Sequence, residues 1–273
     1  MLIRAGFHMS YECQRPTPML LVLDAHPDRV PDIQGYQGVI QGVSFDGGVD
    51  VQRYADGFGN TCMRVVFPEG ITTMAADFVI ADPGCPDEVA PLAVQHPVEA
   101  LPSEVLVYLL GSRYCDTDRL SETAWSLFGD TPPGWGRVQA ICDYTHDRLS
   151  FDYDYADPTR TAWTAHQQRH GVGRDYVHLA VALCRCMNIP ARYCTGYLGD
   201  IGVPPSNDPM DFSAWFEAFL DGRWYTFDPW RNTPRIGRIL IARGRDATDV
   251  ALCTTFGPCK LVDFQVMTSM VGA

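Results

Sequence analysis

The first hundred residues alternate short apolar runs with turn signals. Met19-Leu20-Leu21-Val22-Leu23, residues 39–43, Cys62-Met63-Arg64-Val65-Val66-Phe67 and Ala76-Asp77-Phe78-Val79-Ile80-Ala81 are runs of strand length. Asp46-Gly47-Gly48, Asp56-Gly57-Phe58-Gly59-Asn60 and Pro68-Glu69-Gly70 separate them. Gly and Asn accept positive φ, so these are turns, and the pattern predicts an all-β, sandwich-like domain over residues 1–100. Pro83, Pro86, Pro91, Pro97 and Pro102 then mark an exposed connection.

Beyond Pro102 the apolar period lengthens to that of helices. One is expected to open at Ser103, with Glu104 in its first turn, and others over 120–128, 134–149 and 159–169. A longer helix over 174–187 is apolar on most sides and stops at Asn188, which tolerates the left-handed conformation before Ile189-Pro190. Strands follow over 191–198, 212–220 and 223–227, the last two joined by Asp221-Gly222, a strong hairpin signal. Further strands are expected over 236–242 and 261–267. Helices packed on an antiparallel sheet make residues 101–273 an α+β core domain.

The length of 273 residues suits two such units. A formal charge of -12 repels phosphate backbones and anionic lipid, so neither nucleic acid nor a membrane is an expected partner. The opening residues lack the unbroken apolar stretch of a signal peptide, and no run is long enough for a membrane helix, so a cytoplasmic location is expected. The ten cysteines are scattered and include no C-x-x-C pair, which favours reduced, mostly buried thiols over a disulfide framework or a zinc cage. His166 and His170 stand four apart, a metal-ligand spacing, but no Glu accompanies them, and solvated or capping roles are the simpler reading. No metal and no cofactor is expected.

A turn leading into a buried helix, then a strand and a hairpin return ending in Asp, is an arrangement suited to nucleophilic catalysis. The helix start supplies unpaired amides that stabilise a thiolate or an oxyanion, and a base on one strand is oriented by an acid on the next. The segment from Gly171-Val172-Gly173-Arg174-Asp175-Tyr176-Val177-His178 to Leu198, then Asp211-Phe212-Ser213-Ala214-Trp215-Phe216-Glu217, and Trp224-Tyr225-Thr226-Phe227-Asp228-Pro229 resemble, in that order, the core of the bacterial transglutaminase-like, papain-related family. The resemblance spans residues 159–230 and implies a papain-like α+β fold. It also implies that the first hundred residues are the accessory β-rich domain of that branch.

Carried over position by position, the resemblance puts Gly173 at the nucleophile, Ser213 at the base and Asp228 at the orienting acid. Glycine has no side chain with which to attack, and serine does not accept a proton as imidazole does near neutral pH. Loss of a nucleophile removes most of the benefit of a linked triad, leaving roughly 10³–10⁴ over water in a protease. Thiol acyl transfer is therefore not expected, although a cleft for a peptide, amide or small acyl ligand is. Two alternatives stay open: a cysteine hydrolase or protease of this family whose nucleophile was removed by engineering at Gly173, and a diverged non-thiol hydrolytic or lyase chemistry using Asp228.

Around these positions, Tyr153 is implied in the cleft wall, and Trp215 near the cleft. Arg174 and Asp175 open the helix, where a structural role is the simpler one. His178 reads as a hydrogen-bonded core histidine. Cys194 is the thiol closest in sequence to the site, but no base accompanies it.

Overall fold

The computed structural model describes residues 1–34, 40–205 and 209–272. Residues 35–39, including Val39 of the expected run 39–43, lie outside it. Strands β1 (Leu2–Cys13), β2 (Thr17–Leu21), β3 (Ile33–Gln34), β4 (Ile40–Phe45), β5 (Val51–Ala55), β6 (Thr61–Phe67) and β7 (Gly70–Ala81) make the first part. Helices α1 (Thr117–Phe128) and α2 (Trp135–Arg148), strand β8 (Ser150–Phe151), helix α3 (Ala162–Gln168), strand β9 (His170–Gly171) and helix α4 (Gly173–Cys186) follow. Strands β10 (Ala191–Tyr197), β11 (Ser213–Leu220), β12 (Arg223–Phe227), β13 (Ile239–Gly244), β14 (Cys253–Thr255) and β15 (Cys259–Met270) complete the chain. The segment opened by Ser103 is a 3-10 helix to Leu109 rather than an α-helix.

The first part is a sandwich of two antiparallel sheets, β15-β1-β7-β3 with β4 also on β7, and β14-β2-β6-β5. Alternate residues of β1, Ile3, Ala5, Phe7 and Met9, are buried, as a strand with one covered face requires. Ring contacts of Phe67 with Tyr11 and Phe45, at 6.4 and 6.1 Å, join the two sheets. Both sheets take an edge strand from the C-terminus: β14 pairs with β2, and β15 with β1. A division at residue 100 assigns those strands to the core domain; their pairing puts them in the β-rich unit, which is therefore built from both ends of the chain.

This closure brings Cys13 opposite Cys259, with Cα atoms 4.3 Å apart, and the pair is a disulfide. The expectation of reduced thiols thus fails for two of the ten cysteines, because strand register, invisible in sequence spacing, sets them face to face. Cross-linking the chain ends removes denatured-state entropy, so Cys13→Ser is expected to lower stability by about 2–4 kcal/mol. Urea unfolding with and without reductant checks this, and a loss that persists under reductant would refute the disulfide as its source.

In the second part α4 is the central element. Every residue from Asp175 to Cys186 is buried, and the helix packs on α1, α2, α3 and the sheet strands β10 and β11. It ends where expected: Asn188 takes φ of 60° ahead of Ile189-Pro190. The sheet order is β12-β11-β10-β13. Asp221 and Gly222, with φ of 49° and 77°, make the tight hairpin turn between β11 and β12. Gly196 is required by a close approach, since a Cβ there would lie 2.0 Å from the Ile239 carbonyl oxygen. Among the described residues no helix is long and apolar enough to cross a membrane.

Candidate functional site

The start of α4 is built by Asp175. Its Oδ2 accepts the Val172 N–H at 2.9 Å and Arg160 Nη1 at 3.1 Å, which closes the helix end and fixes the preceding turn. Burial raises the Asp175 carboxyl above its ordinary value, against the Val172 bond and the two arginines. Arg160, itself buried, also donates to the Tyr155 carbonyl at 2.6 Å and to Gln168 at 2.9 Å. One guanidinium thus ties α3 and the 3-10 turn Tyr153–Tyr155 to the helix start, and Asp175 is structural. Arg174 donates to the Asp157 carbonyl at 2.5 Å.

Gly173 is the first residue of α4 and lines a cavity of about 710 Å³. Val172, Arg174, Phe151, Tyr153, Tyr193, Thr195, Ser213, Trp230 and Arg231 line the same cavity, and Met9, Tyr11, Leu261 and Phe264 of the β-rich unit also contribute. The nearest atoms to a Cβ placed on Gly173 would be those of the Trp230 indole, at 3.4–3.9 Å, which is ordinary contact. The indole is held there by a stack on Phe151, with centroids 4.4 Å apart, and by the Arg231 guanidinium 4.1 Å over it. A side chain is therefore sterically admissible at position 173. Ser213 opens β11 opposite Gly196 and is buried, and its carbonyl accepts Thr195 Oγ1 at 3.2 Å.

Asp228 is committed elsewhere. Its side chain is 1% exposed, Oδ2 accepts Arg238 Nη2 at 3.0 Å, and Oδ1 accepts the Arg231 N–H at 3.0 Å. It is absent from the cavity lining. Arg238 also bonds both Asp87 oxygens at 3.0 Å and lies 5.1 Å over the Trp215 ring. Trp215 is buried against Cys194 and Leu240 and does not line the cavity either. Trp215 and Asp228, placed near and within the cleft on sequence, thus both contact Arg238 and stand behind lining residues rather than among them, Asp228 through its bonds to Arg231.

The histidines and the buried thiol take structural places. His178 is fully buried between Tyr114 and Tyr193, with ring centroids at 4.9 and 5.0 Å, and accepts the Ala247 N–H at 3.1 Å. Burial pushes its imidazole down to about 3 despite the opposing Asp246, so it is a neutral core residue. His166 bonds Tyr144 at 2.7 Å, and the His170 ring packs 4.0 Å from Tyr155. Among the described residues no three His, Cys, Asp or Glu side chains gather as a metal site. Cys194 is fully buried, and burial raises its thiol well above the ordinary range.

The thiol that does line the cavity is Cys253, pushed up by burial to about 11, so it is not a ready nucleophile. Sequence reasoning missed Trp230, Arg231, Arg238 and Cys253. The first two directly follow the block ending at Asp228-Pro229 and were within reach; Arg238 and Cys253 carried no local signal.

Residues 124–229 match the Transglutaminase-like superfamily family model. A 90-residue stretch is 38% identical to an uncharacterised protein, ML0607, of Mycobacterium leprae (strain TN), covering 32% of this chain and 31% of that protein. The match thus spans about a third of that relative's length. A solved structure described as a candidate cysteine protease from Cytophaga hutchinsonii superposes with a TM-score of 0.81 at 26% identity, over 98% of this chain and 90% of that one. The periplasmic domain of TgpA from Pseudomonas aeruginosa is more distant, with a TM-score of 0.39 at 14% identity over 81% and 75% of the two chains. Residues 124–229 thus form a domain of the Transglutaminase-like superfamily, and the chain as a whole shares the fold of the Cytophaga hutchinsonii structure.

Proposed function

We propose that this protein keeps the cleft of a transglutaminase-like cysteine enzyme but not its thiol chemistry, and binds a peptide, amide or small acyl ligand there. The observation that carries the reading is the glycine at the start of α4: Gly173 lines the cavity, where the nucleophile would stand, and the thiol among the cavity's lining residues, Cys253, is pushed up by burial to about 11. Ser213 lines the same cavity but has no imidazole to offer, and Asp228 is held by Arg238. Arg174 and Arg231 supply the cationic part of the lining and the aromatic rings the apolar part. The acidic alternative chemistry draws little support from an Asp228 whose oxygens are taken by Arg238 and the Arg231 N–H.

The reading of a cysteine enzyme altered at Gly173 is favoured by one observation, the ordinary contact distances a Cβ would have there. One experiment separates the two. The native protein is expected to show no turnover of peptide, amide or activated-ester substrates. Gly173→Cys is expected to take up iodoacetamide at position 173, mapped by mass spectrometry. Adding Ser213→His is expected to raise activated-ester hydrolysis about 100-fold over Gly173→Cys alone, since general-base assistance is typically worth 10²–10⁴. Turnover by the native protein would overturn the proposal, and efficient turnover by Gly173→Cys alone would favour the altered-enzyme reading.

A further inference from the structure

We propose that Arg231 is a carboxylate receptor in the wall of the cavity, and that the ligand taken up beside Gly173 carries a free carboxylate on an apolar body. The inference rests on the reading of that cavity as a ligand cleft. Arg231 lines the cavity with its side chain 18% exposed, yet among the described residues its guanidinium donates no hydrogen bond. Its Nη1 is buried without a hydrogen-bond partner. Its ion partner, Asp228 Oδ2, is 3.7 Å away and already accepts Arg238 Nη2 at 3.0 Å. A guanidinium withdrawn from water with its donors unused is destabilising, and an anion brought into the cavity offsets that penalty. Arg174, the other arginine of the lining, is committed to the Asp157 carbonyl.

The place of this guanidinium defines the ligand. It lies 4.1 Å over the Trp230 ring, the same indole that a Cβ at position 173 would touch, so a carboxylate on Arg231 sits beside Gly173. The planar fork of a guanidinium matches the two oxygens of a carboxylate. Three acidic side chains share the lining, and each has a partner. Asp157 accepts the Thr159 N–H and hydroxyl at 2.8 and 2.7 Å, Asp200 pairs with Arg235 at 3.7 Å, and Asp211 accepts the Phe212 N–H at 2.6 Å. Asp200 also attracts Arg231, without a hydrogen bond to it. These charges repel a dianionic phosphate more strongly than a single carboxylate, which selects the carboxylate. Met9, Phe212, Leu261 and Phe264 of the same lining offer apolar surface to the rest of the ligand.

The test titrates the full chain at neutral pH with phenylacetate and with its neutral counterpart, phenylacetamide, by calorimetry. The acid is expected to bind about tenfold tighter than the amide, since hydrogen bonds between charged groups are the stronger ones. Arg231→Gln is expected to remove that preference, Arg231→Lys to keep part of it, and Arg174→Gln to leave it in place. The tripeptide Leu-Ser-Phe, with a free or an amidated C-terminus, identifies the source of the carboxylate. A preference for its free acid supports a peptide end as the ligand, and a preference confined to phenylacetate supports a small acid. Equal binding of acid and amide to the native chain overturns the proposal while leaving the cleft reading intact, as does phenyl phosphate binding tighter than phenylacetate. A preference lost in Arg174→Gln but kept in Arg231→Gln overturns the assignment to Arg231. If none of the probes binds, and none shields position 173 of Gly173→Cys from iodoacetamide, the cleft reading falls and the proposal with it.

Discussion

Arg238→Met is expected to lower stability by about 3–5 kcal/mol in urea unfolding, the typical cost of breaking a buried ion pair by removing one partner. The guanidinium is 8% exposed and bonds Asp228, at 1% exposure, and Asp87, at 14%. Methionine fills much of the same volume but leaves both carboxylates without their principal cation, and Arg231, 3.7 Å from Asp228 Oδ2, compensates only in part. Arg223→Met provides the contrast, since its pair with Glu88 is exposed on both sides and no measurable loss is expected. If Arg238→Met proved as mild as Arg223→Met, Asp228 would not depend on this arginine, and its assignment as a structural carboxylate would fall. The prediction bears on function because an acid locked in an ion pair is unavailable to orient a base placed at Ser213.

Stability is also expected to fall as the pH drops from about 6.5 toward 4. His178 is held down to about 3 by burial, and His26 to about 4 by burial and then Arg243, with Asp28 opposing. Both imidazoles ionise more readily in the unfolded chain, so across this window the unfolded state binds more protons and acid favours it; above about pH 7 the contribution is fully present. The raised Asp175 works in the opposite sense as acid is added. Each imidazole is expected to cost up to about 3 kcal/mol between pH 7 and pH 4, with Asp175 offsetting part of the sum, since a tenfold difference in proton affinity between the folded and unfolded chain is worth about 1.4 kcal/mol. In His178→Gln the amide oxygen can still accept the Ala247 N–H, and the pH slope is expected to shrink by about one proton. A slope equal to that of the native chain would show that His178 is not the group responsible.

The parts of the site legible in the sequence are those made by neighbours in the chain. Gly173 falls at the start of α4 because the buried apolar run after it commits to a helix and Asp175 caps it from three residues on. Ser213 falls at the head of β11 because Asp221-Gly222 forces the hairpin and sets its register. The core identity of His178 followed from its place one turn into an almost wholly buried helix.

Local sequence thus dictates the order of elements, the tight turns, the transglutaminase-like domain over 124–229 and the place of Gly173 at the start of α4, all governed by backbone preferences and side-chain periodicity over a few residues. Only contacts between distant segments establish that Arg238 captures Asp228, that the final strands rejoin the first, that Cys13 meets Cys259, and that Met9, Tyr11 and Phe264 wall the cavity. Except for the first, these contacts join the two ends of the chain or bring them to the core. All of them are fixed by strand register and by the need of buried charge for a partner, neither of which leaves a local trace.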